Sequence, residues 1–140
     1  MIKLYSKGCE HILQIISRIP QDECDQTFLA KNLCRKSKVP EHSARKGLQL
    51  LVQKKILEAV PGPGGGYKFA AHPKKISLLD VVNAIDGEDS LKRCVMGLPE
   101  CNSKNPCPIH NSWKDLKIKL LKEFKKKPLL EVMSKKSNTK

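Results

Sequence analysis

Residues 38–70 read KVPEHSARKGLQLLVQKKILEAVPGPGGGYKFA, and the fold follows from how this stretch divides. A helix opens at Pro40, a residue favoured in a first turn because it has no N–H to leave unpaired. Ala44, Leu48, Leu51 and Val52 recur at i, i+4, i+7 and i+8, the spacing of one buried helical face. The opposite face presents His42, Ser43, Arg45, Lys46 and Gln49 near the start of the helix. Two short runs follow, Ile56–Val60 and Tyr67–Ala70, on either side of Pro61-Gly62-Pro63-Gly64-Gly65-Gly66. Short apolar runs around a Gly/Pro turn predict a two-stranded hairpin. Three consecutive glycines also resemble a phosphate-binding loop. No Lys-Ser/Thr pair follows and no helix opens there, which argues against a nucleotide site. At Gly64 and Gly65 the missing side chain instead lets backbone N–H groups approach a DNA phosphate.

Upstream, a short helix runs from about Thr27, with Phe28, Leu29 and Leu33 apolar, and ends at a polar turn, Arg35–Lys38, that carries Lys36 and Lys38. Two short helices, a tight turn, and basic residues at the start of the second helix form a helix-turn-helix pattern. In that motif the start of the second helix enters the major groove. A hairpin directly behind it is a wing. The charge agrees: 27 Lys and Arg stand against 14 Asp and Glu, a net +13 over 140 residues. Eight of the basic residues lie between Lys31 and Lys55, with Glu41 the one acid among them. That concentration predicts several phosphate contacts and a steep salt dependence. Aromatic residues make up only 4% of the chain, against a binder that stacks single-stranded bases. The seven lysines of Trp113–Lys127 read as a solvated helix face.

A first helix is capped by Ser6, carries Ile12, Ile15, Ile16 and Ile19 on one face, and stops at Pro20. Ser77 and Asp80 form a capping box for a compact helix with Leu78, Val81, Val82 and Ile85 inward, ending near Gly87. From Ser112 a long amphipathic helix places Trp113, Leu116, Leu120, Leu121 and Phe124 on one face and ends at Pro128. An apolar stripe on a long helix in so small a domain needs a partner, and its own symmetry mate is the economical one. A two-fold homodimer implies a palindromic double-stranded DNA operator. The chain thus divides into a winged helix-turn-helix domain at 1–87, a cysteine-rich loop at 88–111, a dimerisation helix region at 112–133 and a flexible tail at 134–140. The fold class is mainly α with a small β-hairpin wing. No apolar run approaches the roughly 18 residues of a membrane span. Met1–Pro20 has no signal-peptide cleavage site, so the expected location is the cytoplasm.

The six cysteines are unevenly spread. Three lie in one loop with a histidine, Cys94-x6-Cys101-x5-Cys107-x2-His110, among Gly97, Pro99, Asn102, Asn105 and Pro106. A loop this polar does not bury thiols, and in a reducing compartment clustered thiols hold metal. Three thiolates and an imidazole suit tetrahedral zinc. Structural zinc sites, however, draw on close cysteine pairs, and the wide gaps here suit the larger body of a two- or four-iron iron–sulfur cluster. Both cofactors stand as alternatives. Catalysis finds no support: His11, His42, His72 and His110 show no nucleophile-and-base arrangement, so an enzyme is not expected.

Four features together resemble the IscR/NsrR/RirA/CymR family of bacterial transcription regulators. These are Met1-Ile2-Lys3-Leu4 through Lys7-Gly8, the wing Gly62-Pro63-Gly64-Gly65-Gly66-Tyr67, the segment Ile76–Val82, and the Cys…Cys…Cys-x2-His-x2-Trp array. The resemblance spans roughly residues 1–133. It implies a dimeric winged-helix regulator, several of which sense through an iron–sulfur cluster. Cys94, Cys101 and Cys107 match the thiolate ligands. His110 matches the histidine that completes the cluster in the iron–sulfur-assembly regulators. Cys9 stands where the nitric-oxide-sensing branch uses an acid from the partner subunit, so the fourth ligand is His110 in cis or Cys9 in trans. His42, Arg45 and Lys46 match positions that address bases. The sequence departs from the family in its x6 first gap, where x5 is usual, and in Pro61, where an arginine is usual. The alternatives to a cluster-controlled regulator are a cluster-free or zinc-bound one, answering to a partner protein or thiol oxidation, and more remotely a small iron–sulfur electron carrier.

Overall fold

Ser6 sets the start of the first helix, α1 (Lys7–Ile16), because its hydroxyl accepts the Cys9 N–H at 3.1 Å. The computed structural model describes residues 5–63, 65–87 and 108–134, with His110 described in its backbone only. Ile12, Ile15 and Ile16 are buried along α1, as their spacing requires, and Pro20 leads into a 3-10 turn, Gln21–Glu23. Then come α2 (Ala30–Ser37), α3 (Glu41–Gln53), the antiparallel strands β1 (Leu57–Val60) and β2 (Gly66–Phe69), α4 (Leu78–Asp86) and α5 (His110–Lys126). Leu57 pairs with Phe69 and Val60 with Gly66 across the hairpin.

Several boundaries differ from the sequence expectation, each for a backbone reason. The helix expected from Thr27 begins at Ala30, because Phe28 is extended and paired with β2. Its N–H donates to the Tyr67 carbonyl at 2.7 Å and its carbonyl accepts the Tyr67 N–H at 2.9 Å. The polar turn expected at Arg35–Lys38 is shorter: Arg35 and Lys36 stay helical, and the chain turns at Lys38, which adopts φ 58. Its N–H donates to the Cys34 carbonyl, closing α2 in the left-handed conformation that ends many helices. The capping box at α4 forms in full, with Ser77 Oγ accepting the Asp80 N–H at 3.0 Å and Asp80 Oδ2 accepting the Ser77 N–H at 2.9 Å.

The core lies between α1, α3 and α4, where Ile12, Ile15, Leu48, Leu51 and Val81 are fully buried. It also takes residues from beyond α5. Leu78 N–H donates to Lys127 O at 3.0 Å and Leu129 N–H to Ile76 O at 2.6 Å, so the chain after Pro128 returns beside α4. Leu129 and Met133, in and just after the 3-10 turn Leu129–Val132, then enter the core. Ser134, expected to begin a loose tail, is held at three points: its N–H donates to Ile19 O, its Oγ to Ser17 O, and its carbonyl accepts the Gln21 N–H. Residues 135–140, the rest of the expected tail, lie outside the described residues.

The stripe on α5 is largely used within the chain. Trp113 is buried, and Leu121 and Phe124 pack on a small cluster formed by Cys9, Val82, Tyr5 and Ile85. The large apolar side chains that the described part of α5 still exposes are Leu116 and Ile118, each 43% exposed, with Ile109 just before the helix.

Candidate nucleic-acid interface

The polarity of α3 is the central feature of the site. Ala44, Gly47, Leu48 and Leu51 are buried on its inner side, while His42, Arg45, Lys46 and Gln49 are exposed on the other. The heptad-like spacing produces this division without help, since a 3.6-residue turn puts positions four and seven apart on one face. Helix contact is close at one point. A Cβ added at Gly47 would overlap the Ile12 side chain, so glycine there lets α3 lie tightly against α1.

The exposed residues differ in what holds them. Arg45 donates from its guanidinium to Glu41 Oε1 at 2.7 Å, one turn earlier on the same helix. Both groups are open to solvent, so the pair orients Arg45 more than it stabilises the fold. Beneath them Cys34 is a buried thiol, its pKa raised by burial and by the Glu41 charge against the opposing effect of Arg45. Ser43 is not a free reader, since its Oγ lies 2.9 Å from His11 Nδ1. Gln49 Nε2 donates to Tyr67 Oη at 3.4 Å, linking α3 to β2 of the wing. Lys36 and Lys38 are exposed beside the turn that enters α3.

The wing corrects one expectation. Gly65 is buried, and its N–H donates back to Gly62 O at 3.0 Å, so that amide is turned inward and is not offered to a phosphate. Glycine is required at 65 for closeness: a Cβ would meet the carbonyl oxygens of Val60, Pro61 and Gly62. Gly64 lies outside the described residues.

Of the metal-site residues expected from the sequence, Cys94, Cys101 and Cys107 lie outside the described residues, as does the His110 side chain. The His110 backbone opens α5, two residues earlier than the helix start expected at Ser112. Among the described residues no group of three or more His, Cys, Asp or Glu could hold a metal ion. The expectation that Cys9 reaches a partner subunit meets a physical obstacle. Cys9 is fully buried in its own chain against Val82, and desolvation, with the Asp86 charge second, pushes its thiol up to about 12. Cys24, half-buried, has its Sγ 3.7 Å from His72 Nε2. Sequence reading missed His11 and Tyr67 as partners of α3. No local pattern signals them, because both contacts join residues far apart in the chain.

Comparison with known proteins agrees with this geometry. A family model described as Rrf2, iron-dependent transcriptional regulator, matches residues 5–135. The HTH-type transcriptional regulator IscR of Vibrio vulnificus is 31% identical over 111 residues, covering 71% of this chain and 66% of that protein. Among solved structures, CymR, the global cysteine regulator of B. subtilis, superposes with a TM-score of 0.69 at 15% identity, covering 92% of this chain and 94% of that one. IscR of T. potens gives 0.65 at 15% identity, over 91% and 82%. At such identities the structural likeness speaks for the winged-helix fold.

Proposed function

Because the chain belongs to the Rrf2 family of transcriptional regulators, we propose that it is a homodimeric cytoplasmic regulator whose hold on a palindromic operator depends on an iron–sulfur cluster. It is a DNA-binding protein and not an enzyme, as its relatives are. The observation that carries the DNA reading is the split of α3 into a buried apolar side and an exposed side bearing His42, Arg45, Lys46 and Gln49. Arg45, paired with Glu41 at 2.7 Å, would exchange that carboxylate for a bidentate contact to guanine, worth roughly 1–3 kcal/mol of discrimination. Lys36 and Lys38 would meet phosphates on either side of the turn. Leu116 on α5, with Ile109 seven residues earlier on the same side, supplies exposed apolar surface for a second copy.

The cysteine chemistry supports the cofactor. Cys94, Cys101 and Cys107 are three soft ligands in one segment, and that segment begins just after α4 and ends just before α5, two helices packed on one another. His110 is the better fourth ligand, because Cys9 is sealed in the core of its own subunit. A bound cluster would supply sensitivity to iron, oxygen, nitric oxide or redox state. The protein's part is to tie the 88–107 segment to α4 and α5, and so to the placement of the two DNA-reading heads.

Anaerobic purification tests the proposal. A brown dimer with iron and acid-labile sulfide is expected, and alanine at Cys94, Cys101 or Cys107 should remove both. A colourless protein with stoichiometric zinc would refute the cluster and favour a zinc-bound regulator of the same fold.

A further inference from the structure

We infer that His11 is a positioning residue for DNA readout: through Ser43 it holds the first turn of α3 in register with the rest of the molecule. The inference rests on α3 being the DNA-reading helix. The residue before α3 is Pro40, and no side chain caps the turn that follows. Glu41 and His42 are exposed, and the first buried residue is Ala44. Helix ends of this kind carry unpaired N–H groups and open easily. Yet this is the turn that must present His42 to a groove.

The half-buried pair His11–Ser43 supplies the missing tether, with 2.9 Å between Nδ1 and Oγ. One turn further along, Gly47 packs against Ile12. Ser43 and Gly47 share one side of α3, and His11 and Ile12 are neighbours on α1. The Gly47 contact sets how close the two helices lie, but a glycine has no side chain to resist rotation. The polar contact at Ser43 is directional and fixes the roll of the first turn. That roll decides whether His42, Arg45 and Lys46 meet base edges. Base contacts need placement within a fraction of an ångström, whereas phosphate contacts from Lys36 and Lys38 do not. His11 therefore acts on specificity and leaves non-specific binding largely alone, without touching DNA itself.

The test uses the full-length chain and two probes: a labelled duplex selected by that chain from a random-sequence library, and poly(dI-dC). The quantity read is the ratio of the two affinities, with thermal unfolding followed in parallel. His11→Ala and Ser43→Ala should each lower the ratio about ten-fold, the scale of one hydrogen bond, and the double variant should fall no further. His11→Asn keeps a polar atom near the Nδ1 position and should stay within about two-fold of the unaltered chain. The salt slope should not change, because no phosphate contact is lost. Should His11→Ala fail to fold, Ser43→Ala removes only a hydroxyl and carries the same measurement. An unchanged ratio, additive losses, or equal weakening on both probes with a lower unfolding midpoint would overturn the inference. Arg45→Ala separates the two levels. If it lowers the ratio while the His11 and Ser43 variants do not, the positioning role alone fails; if it too has no effect, the reading of α3 falls and the inference with it.

Discussion

Cys9 shows how much a single residue's environment decides. Its position three before Ile12 and seven before Ile16 places it on the apolar side of α1, which a sequence reader can see. What closes over it is tertiary: Val82 from α4 and Phe124 from α5 complete the pocket. The buried thiol, at about 12 against an ordinary 9.0, stays neutral in the native protein, whereas the unfolded chain ionises it more readily. Its share of stability is therefore whole below pH 9 and is lost as pH rises from 9 toward 12. Cys9→Ala should be less stable at neutral pH by about 1–2 kcal/mol, through the cavity it leaves. It should also lose less of its thermal midpoint than the unaltered chain across the alkaline range. Circular-dichroism melts at a series of pH values check this, and parallel curves would show that the thiol does not titrate on unfolding.

Among the described residues each α-helix was legible, but several of the ends were not. Periodicity marks a face, but an end depends on where the backbone hydrogen bonds go. Phe28 gives its N–H and carbonyl to Tyr67, so α2 starts late. Lys38 turns left-handed, so α2 also ends late. Ser77 and Asp80 are the contrasting case, because a capping box is local and both of its bonds are present. The α1–α3 contact was invisible for the opposite reason, since Gly47 in mid-helix reads as a mere weakness. On helix propensity alone, Gly47→Ala should gain about 1 kcal/mol. The overlap with Ile12 predicts the reverse sign, a net loss of roughly 1–3 kcal/mol. Combining it with Ile12→Val should cost less than the two changes summed, as urea titrations of the single and double variants would register.

The whole molecule is tied together by its last described segment. Leu129 is completely buried in the core that also holds Ile12 and Leu48, so the segment after α5 supports the helices that carry the proposed DNA face. Leu129→Ala should destabilise by about 2–5 kcal/mol. The chain has a single tryptophan, Trp113 on α5, which allows a direct check. Its fluorescence and the far-ultraviolet circular dichroism should shift together to lower urea as one transition. Separate transitions would mean that α5 and the winged part unfold independently. The mainly helical winged fold, the outward set on α3 and the close spacing of Cys94, Cys101 and Cys107 were legible in the sequence. Each of these is written in spacing along one local stretch. Long-range packing set the rest: Ser43 is engaged by His11, the Gly65 amide points inward, Cys9 is sealed, and Leu129 and Met133 complete the core. Those outcomes depend on which distant segment fills the space beside a residue, and helical or strand periodicity carries no information about that. The net charge of +13 belongs to the first kind: it marks the chain for an acidic partner, while the packing of α3 on α1 determines how its bases could be read.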